Sequence, residues 1–99
     1  MTIPASGPDA VNASATFYKY ATLAALETAF TSGELAGKIT RRIVSMSDVV
    51  LVVKRAGTGD TVAWPIATNV PEEIQITGFT ASGSTAASIS ASAPIKVYL

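Results

Sequence analysis

The sequence predicts a mainly β domain: a small sandwich or barrel of about six antiparallel strands, with one short N-terminal helix and an extended N-terminal arm. Three observations predict it. From residue 38 onward, short apolar or alternating runs recur at intervals of about 8–12 residues. Breaks rich in Gly, Pro, Asn and Ser separate those runs. Only one stretch, within residues 17–36, carries a helical period.

Taken in order, residues 1–16 contain Pro4, Gly7 and Pro8 among Ala, Ser, Thr and Asn, without periodicity. They read as an arm that is disordered alone and orders against a neighbour, leaving 17–99 as the single β domain. The arm has neither a charged nor an apolar leader region, so no secretory signal is expected, and the Asn12-Ala-Ser14 sequon is read as chance. Phe17 to Tyr20 is strand-like by propensity. Tyr20, Leu23, Leu26 and Phe30 then follow helical spacing, with Thr22 placed to cap the start and Ser32-Gly33 to stop the chain. These signals predict a helix near 22–31.

Ile39 to Met46 reads as the next strand, and Val49 to Arg55 as another whose apolar run suits coverage on both faces. Ala56-Gly57-Thr58-Gly59-Asp60 then makes a hairpin loop to Thr61–Ala67, where Pro65 demands a sheet edge or a bulge. Glu72 to Thr77 alternates, with Ile74 and Ile76 on one face. Ala81 to Thr85 reads as a turn cluster, and Ser88–Ala91 and Pro94–Leu99 as two last strands. The expected core is Leu23, Leu26, Phe30, Ile39, Ile43, Val50, Val52, Val62, Trp64, Ile74, Ile76, Ile89, Ile95 and Val97.

Composition excludes several functions. In 99 residues there are 7 Lys+Arg, 7 Asp+Glu, no His and no Cys. The usual zinc site, a thiol nucleophile, an imidazole base and a disulfide framework are therefore absent. Zero net charge speaks against a dedicated nucleic-acid binder, which shows a basic excess. The longest uninterrupted apolar run, Val49–Val53, is far short of the roughly 20 residues a spanning helix needs. Ala, Ser and Thr fill 17, 10 and 12 positions, while charged residues make up only 14% of the chain. A surface of small, weakly charged side chains favours association, so the composition suits a subunit covered by neighbours.

Candidate chemistry is sparse. The loop at Gly57 and Gly59 lacks the Gly-Lys-Ser/Thr ending and following helix of a phosphate loop, and is read as a turn. Glu72 and Glu73 are adjacent on an extended segment, so they point apart and do not form an acid–base pair. No Ser or Thr has a recognisable activating base, and no enzymatic activity, cofactor or metal is expected. Lys38, Arg41 and Arg42, joined by Lys54 and Arg55 if their strands pair, form a modest basic cluster that could meet phosphates, a membrane surface or an acidic partner. Salt bridges to a partner or between subunits are the leading reading, ahead of plain solvated charge and of nucleic acid. Trp64 with Tyr18, Tyr20 and Tyr98 offers the alternative of a carbohydrate-binding module, although a lone Trp in such a strand more often anchors a core or interface.

Lys38-Ile-Thr-Arg-Arg-Ile-Val-Ser-Met46, Val49–Val53, Gly59-Asp-Thr-Val-Ala-Trp64, Pro71, Ile74-Gln-Ile-Thr-Gly-Phe79 and Ala81-Ser-Gly-Ser-Thr-Ala86 together carry a pattern over residues 38–90. It resembles small tailed-phage virion proteins of the capsid decoration (cement) and spike-base types. The resemblance implies a non-enzymatic β domain of the virion. It also implies a homo-oligomer, with a trimer favoured, bound to the major capsid protein or to other virion proteins. Neither nucleic acid nor membrane is implied as a partner. Decoration of the capsid is the leading expectation, and a small tail, baseplate or spike-base component is the alternative. The arm and helix lie outside the resemblance, and none of its functional residues carries over. The expected contact residues, taken from the arm and the basic cluster, are Ile3, Pro4, Pro8, Lys38, Arg41 and Arg42.

Overall fold

The computed structural model describes residues 17–99. The expected arm, with Ile3, Pro4 and Pro8, lies outside the described residues. The chain runs β1 (Phe17–Tyr20), α1 (Leu23–Ser32), β2 (Arg42–Ser45), β3 (Val49–Arg55), β4 (Thr61–Ile66), β5 (Ile76–Thr85) and β6 (Ile95–Tyr98). The six strands form two antiparallel three-stranded sheets, ordered β1-β6-β2 and β4-β3-β5, in a sandwich-like arrangement.

Helix α1 begins where the sequence indicates. Thr22 is extended and its Oγ1 accepts from the Ala25 N–H at 3.1 Å, satisfying one of the open donors of the first turn. Leu26, Ala29 and Phe30, at i, i+3 and i+4, are buried against the core. Gly33 ends the helix by donating to the Thr28 and Ala29 carbonyls, yet its φ of −104° is not left-handed. Glycine is needed there for space, because a Cβ would sit 2.9 Å from the Ala29 Cα. Leu35 follows, fully buried, without any periodic signal in the sequence.

The β3–β4 hairpin forms as expected. Gly57 and Gly59 take φ values of +81° and +72°, and Arg55 and Asp60 close the loop through a backbone hydrogen bond of 2.9 Å. Pro65 lies on β4, an edge strand, where no ladder bond has to be donated outward.

Other expectations are corrected. On β3 the buried residues are Val49, Leu51 and Val53, whereas Val50 and Val52 are half-buried. An unbroken apolar run has no phase of its own, so its tertiary partners choose the inward face. Ile39 is 57% exposed instead of core, and β2 starts only at Arg42. Thr40 turns inward there and shifts the alternation. The Glu72–Thr77 run is strand only from Ile76, although Ile74 and Ile76 are buried and Gln75 and Thr77 exposed, as the alternation indicates. Ile43 and Glu72 exchange backbone hydrogen bonds of 2.9 Å in both directions, so this segment edges β2 before it joins β5.

The expected turn at Ala81–Thr85 is part of β5. Val52 pairs with Thr80 and Val50 with Thr85, so the residues between Thr80 and Thr85 face Leu51 alone in a large bulge. Gly83 supplies φ +85° within it. The expected strand at Ser88–Ala91 is a turn with one isolated Ser90–Ala93 bridge, and Ile89 is only half-buried. Leu23, Val62 and Trp64 likewise pack at the margin of the core instead of inside it.

Candidate functional site

Sheet β1-β6-β2 sorts its residues by strand alternation. Tyr20, Ile43, Ser45, Ile95 and Val97 are buried on the inner face. Phe17, Lys19, Arg42, Val44, Lys96 and Tyr98 occupy the alternate positions that form the outer face. The register lines these up in two cross-strand rows: Phe17–Tyr98–Arg42 and Lys19–Lys96–Val44.

The first row is an aromatic and guanidinium stack. The Phe17 and Tyr98 rings lie with centroids 4.9 Å apart at 30°. The Arg41 and Arg42 guanidinium carbons sit 5.9 and 5.6 Å from the Tyr98 centroid, within cation–π range. Arg41 also donates from Nε to the Leu99 carbonyl at 2.8 Å, and Arg42 donates from Nε to Glu73 Oε2 at 2.6 Å. Lys38 is exposed at the start of the connection into β2. The structure thus places Arg41 and Arg42 against one ring, a grouping with Tyr98 and Phe17 that sequence separation concealed. Strand alternation in β1 and β6 was the available signal, but pairing their outer faces required the register.

The basic cluster is smaller than the sequence suggested. Strands β2 and β3 do not pair; they belong to different sheets, which separates Lys54 and Arg55 from this face. Arg55 instead makes a two-pronged pair with Asp60, Nε to Oδ1 at 2.9 Å and Nη2 to Oδ2 at 2.8 Å. That pair, helped by the Thr58 hydroxyl, holds the Asp60 carboxyl well below the usual carboxylate range and locks the hairpin loop.

The acids serve structural contacts. Glu72 accepts from Trp64 Nε1 at 3.2 Å, while its neighbour Glu73 turns to Arg42. The two carboxylates therefore diverge. Asp48 accepts from the Thr68 N–H and hydroxyl, which lower its pKa. Glu34 accepts from the Tyr20 hydroxyl at 2.5 Å. Among the described residues, no group of three acidic side chains converges to hold a metal ion.

The aromatic residues proposed for sugar stacking do not share one platform. Trp64 packs at the core margin of the second sheet beside shallow depressions lined with Val62, Pro65 and Glu72. Tyr18 and Tyr20 point to the inner face of the first sheet, and Tyr98 points to its outer face. No helix among the described residues is long and apolar enough to cross a membrane. Comparisons with protein-family models, with curated proteins and with solved structures give no match to the chain.

Proposed function

We propose that the chain is a non-enzymatic structural subunit of a tailed-phage virion, a capsid decoration protein that fastens neighbouring major-capsid subunits as a homo-oligomer, with a trimer favoured. The observation that carries the reading is that exposed apolar side chains and four cations lie on or next to one sheet, β1-β6-β2. The exposed large apolar side chains of the described residues are Phe17, Ile39, Met46 and Val70. Phe17 is on β1, Ile39 and Met46 flank β2, and Val70 follows Asn69, whose N–H donates to Ser45 of β2 at 2.7 Å. All four therefore lie on or beside sheet β1-β6-β2, together with Lys19, Lys96, Arg41 and Arg42. Exposed apolar groups rimmed by charge mark protein–protein contact surfaces. The low charge content of the whole chain supports the same reading, since little desolvation opposes covering such a surface.

The experiment is co-sedimentation of the full chain with purified capsids and, separately, purified tails of the phage that encodes it. Saturable binding to tail-less capsids supports decoration, and binding to tails alone moves the subunit to the tail or baseplate. Binding to neither overturns the reading. Light scattering of the purified chain reads the oligomer, and removing residues 1–16 asks whether the arm with Ile3, Pro4 and Pro8 is a second anchor.

A further inference from the structure

Lys19 and Lys96 stand directly opposite each other on paired antiparallel strands. Like charges so placed have Cβ atoms about 5 Å apart and destabilise a sheet. No described acid relieves them. The carboxylate that reaches this side, Glu73, is bound to Arg42, and Asp48, Asp60, Glu34 and Glu72 are hydrogen-bonded elsewhere. Glu27, on α1, lies within 3.4 Å of the Ala81 N–H of the second sheet. Two residues along β1 from Lys19, the Phe17 ring lies stacked on Tyr98 and 41% exposed.

We propose that this face binds an extended acidic segment of a partner protein. One partner carboxylate would sit between the Lys19 and Lys96 ammonium groups, and an apolar side chain two positions away would cover the Phe17–Tyr98 stack. The spacing follows from the strand rise of about 3.3 Å per residue, which puts the lysine pair and the aromatic pair about 7 Å apart, matching alternate side chains of an extended peptide. Charge complementarity selects an acidic occupant. Protein is favoured over nucleic acid because the chain is net neutral and the face carries few cations, whereas useful phosphate-backbone affinity draws on several more contacts. The inference rests on reading this sheet as the docking side and adds the chemistry of what docks.

The test uses the full chain and a nine-residue peptide, Ser-Glu-Ser-Ile-Ser-Glu-Ser-Ile-Ser, with Gln replacing Glu in the control, followed by NMR at low salt. The expected result is shifts confined to Phe17, Lys19, Lys96, Tyr98 and their neighbours. They should vanish with the Gln peptide and at about 1 M salt, where screening acts within about 3 Å. Lys96→Glu should weaken peptide binding about fivefold or more. It should also raise Tm by about 2–4 °C, because it replaces a repulsive cross-strand pair with an attractive one. Lys54→Glu, on the other sheet, should leave peptide binding unchanged. No shifts at millimolar peptide, unchanged binding by Lys96→Glu, or a duplex oligonucleotide moving the same resonances at lower concentration would each overturn the proposal. If capsid binding persists and is indifferent to Lys96→Glu, the acidic partner fails while the decoration reading stands. If capsid binding is absent while the peptide result holds, decoration fails and the acidic-segment site stands.

Discussion

Thr40 and Ile76 exchange two hydrogen bonds across the seam between the sheets: the Thr40 N–H donates to the Ile76 carbonyl at 3.1 Å, and the Ile76 N–H donates to Thr40 Oγ1 at 3.1 Å. The same hydroxyl donates to the Ile74 carbonyl at 3.0 Å, and Thr40 is only 1% exposed. One side chain thus satisfies a buried donor and a buried acceptor where the chain passes between sheets. Thr40→Val keeps the shape but orphans both groups. It should cost about 2–4 kcal/mol in urea unfolding, and Thr40→Ser, which keeps the hydroxyl, markedly less.

The β5 bulge depends on a comparable substitution of side chain for backbone. Ser84 Oγ accepts from the Val52 N–H at 2.8 Å and donates to the Thr80 carbonyl at 2.8 Å, standing in for the ladder where β5 leaves register. Ser84→Ala should destabilise by about 1–2 kcal/mol and accelerate amide exchange at Val52 above that of its β3 neighbours. Unchanged exchange at Val52 would show that the bulge does not need the hydroxyl.

Gly33→Ala separates a steric requirement from a conformational one. The φ of −104° suits any residue, but the new Cβ would meet the Ala29 backbone at 2.9 Å. The variant should lose about 1–3 kcal/mol by thermal unfolding, as overpacking does. Gly37, with φ +74° and open space around it, should instead give a smaller loss of about 1 kcal/mol on Gly37→Ala.

Tyr20 and Glu34 link stability to pH. The Tyr20 hydroxyl holds the Glu34 carboxyl below its usual range, while burial first and the bond to Glu34 second push the Tyr20 phenol far above its own. Glu34, lower in the folded state, contributes stability that is present above the unfolded value of about 4.3 and is lost as pH falls through the folded value. Tyr20, raised in the folded state, contributes stability that is present below about pH 10 and is lost as pH rises toward its folded value. Tyr20→Phe should therefore flatten the stability profile at both ends, and carboxyl NMR should show Glu34 titrating higher. Asp48 and Asp60, also held low, keep part of the acid limb.

Local chemistry was legible in the sequence wherever a single residue type settles the matter. Thr22 caps α1, Gly57 and Gly59 turn the β3–β4 hairpin, and Pro65 confines β4 to an edge, because each acts through its own backbone or side chain. The alternation of Ile74 with Ile76 and of Ile95 with Val97 likewise gave their inward faces correctly. Of the candidate contact residues, Arg41 and Arg42 could be picked out as a pair, but not their shared Tyr98 ring.

Tertiary structure alone decided what depends on phase and register. The run Val49–Val53 is apolar throughout, so only its partners could choose Val49, Leu51 and Val53 as the inward set. Thr40 moves the phase before β2 because its buried hydroxyl finds Ile74 and Ile76, residues more than 30 positions away. The Lys19–Lys96 opposition exists only because β1 and β6, at the two ends of the described chain, lie side by side. Periodicity tells a strand which of its faces differ. Only long-range pairing tells it which residues it will face.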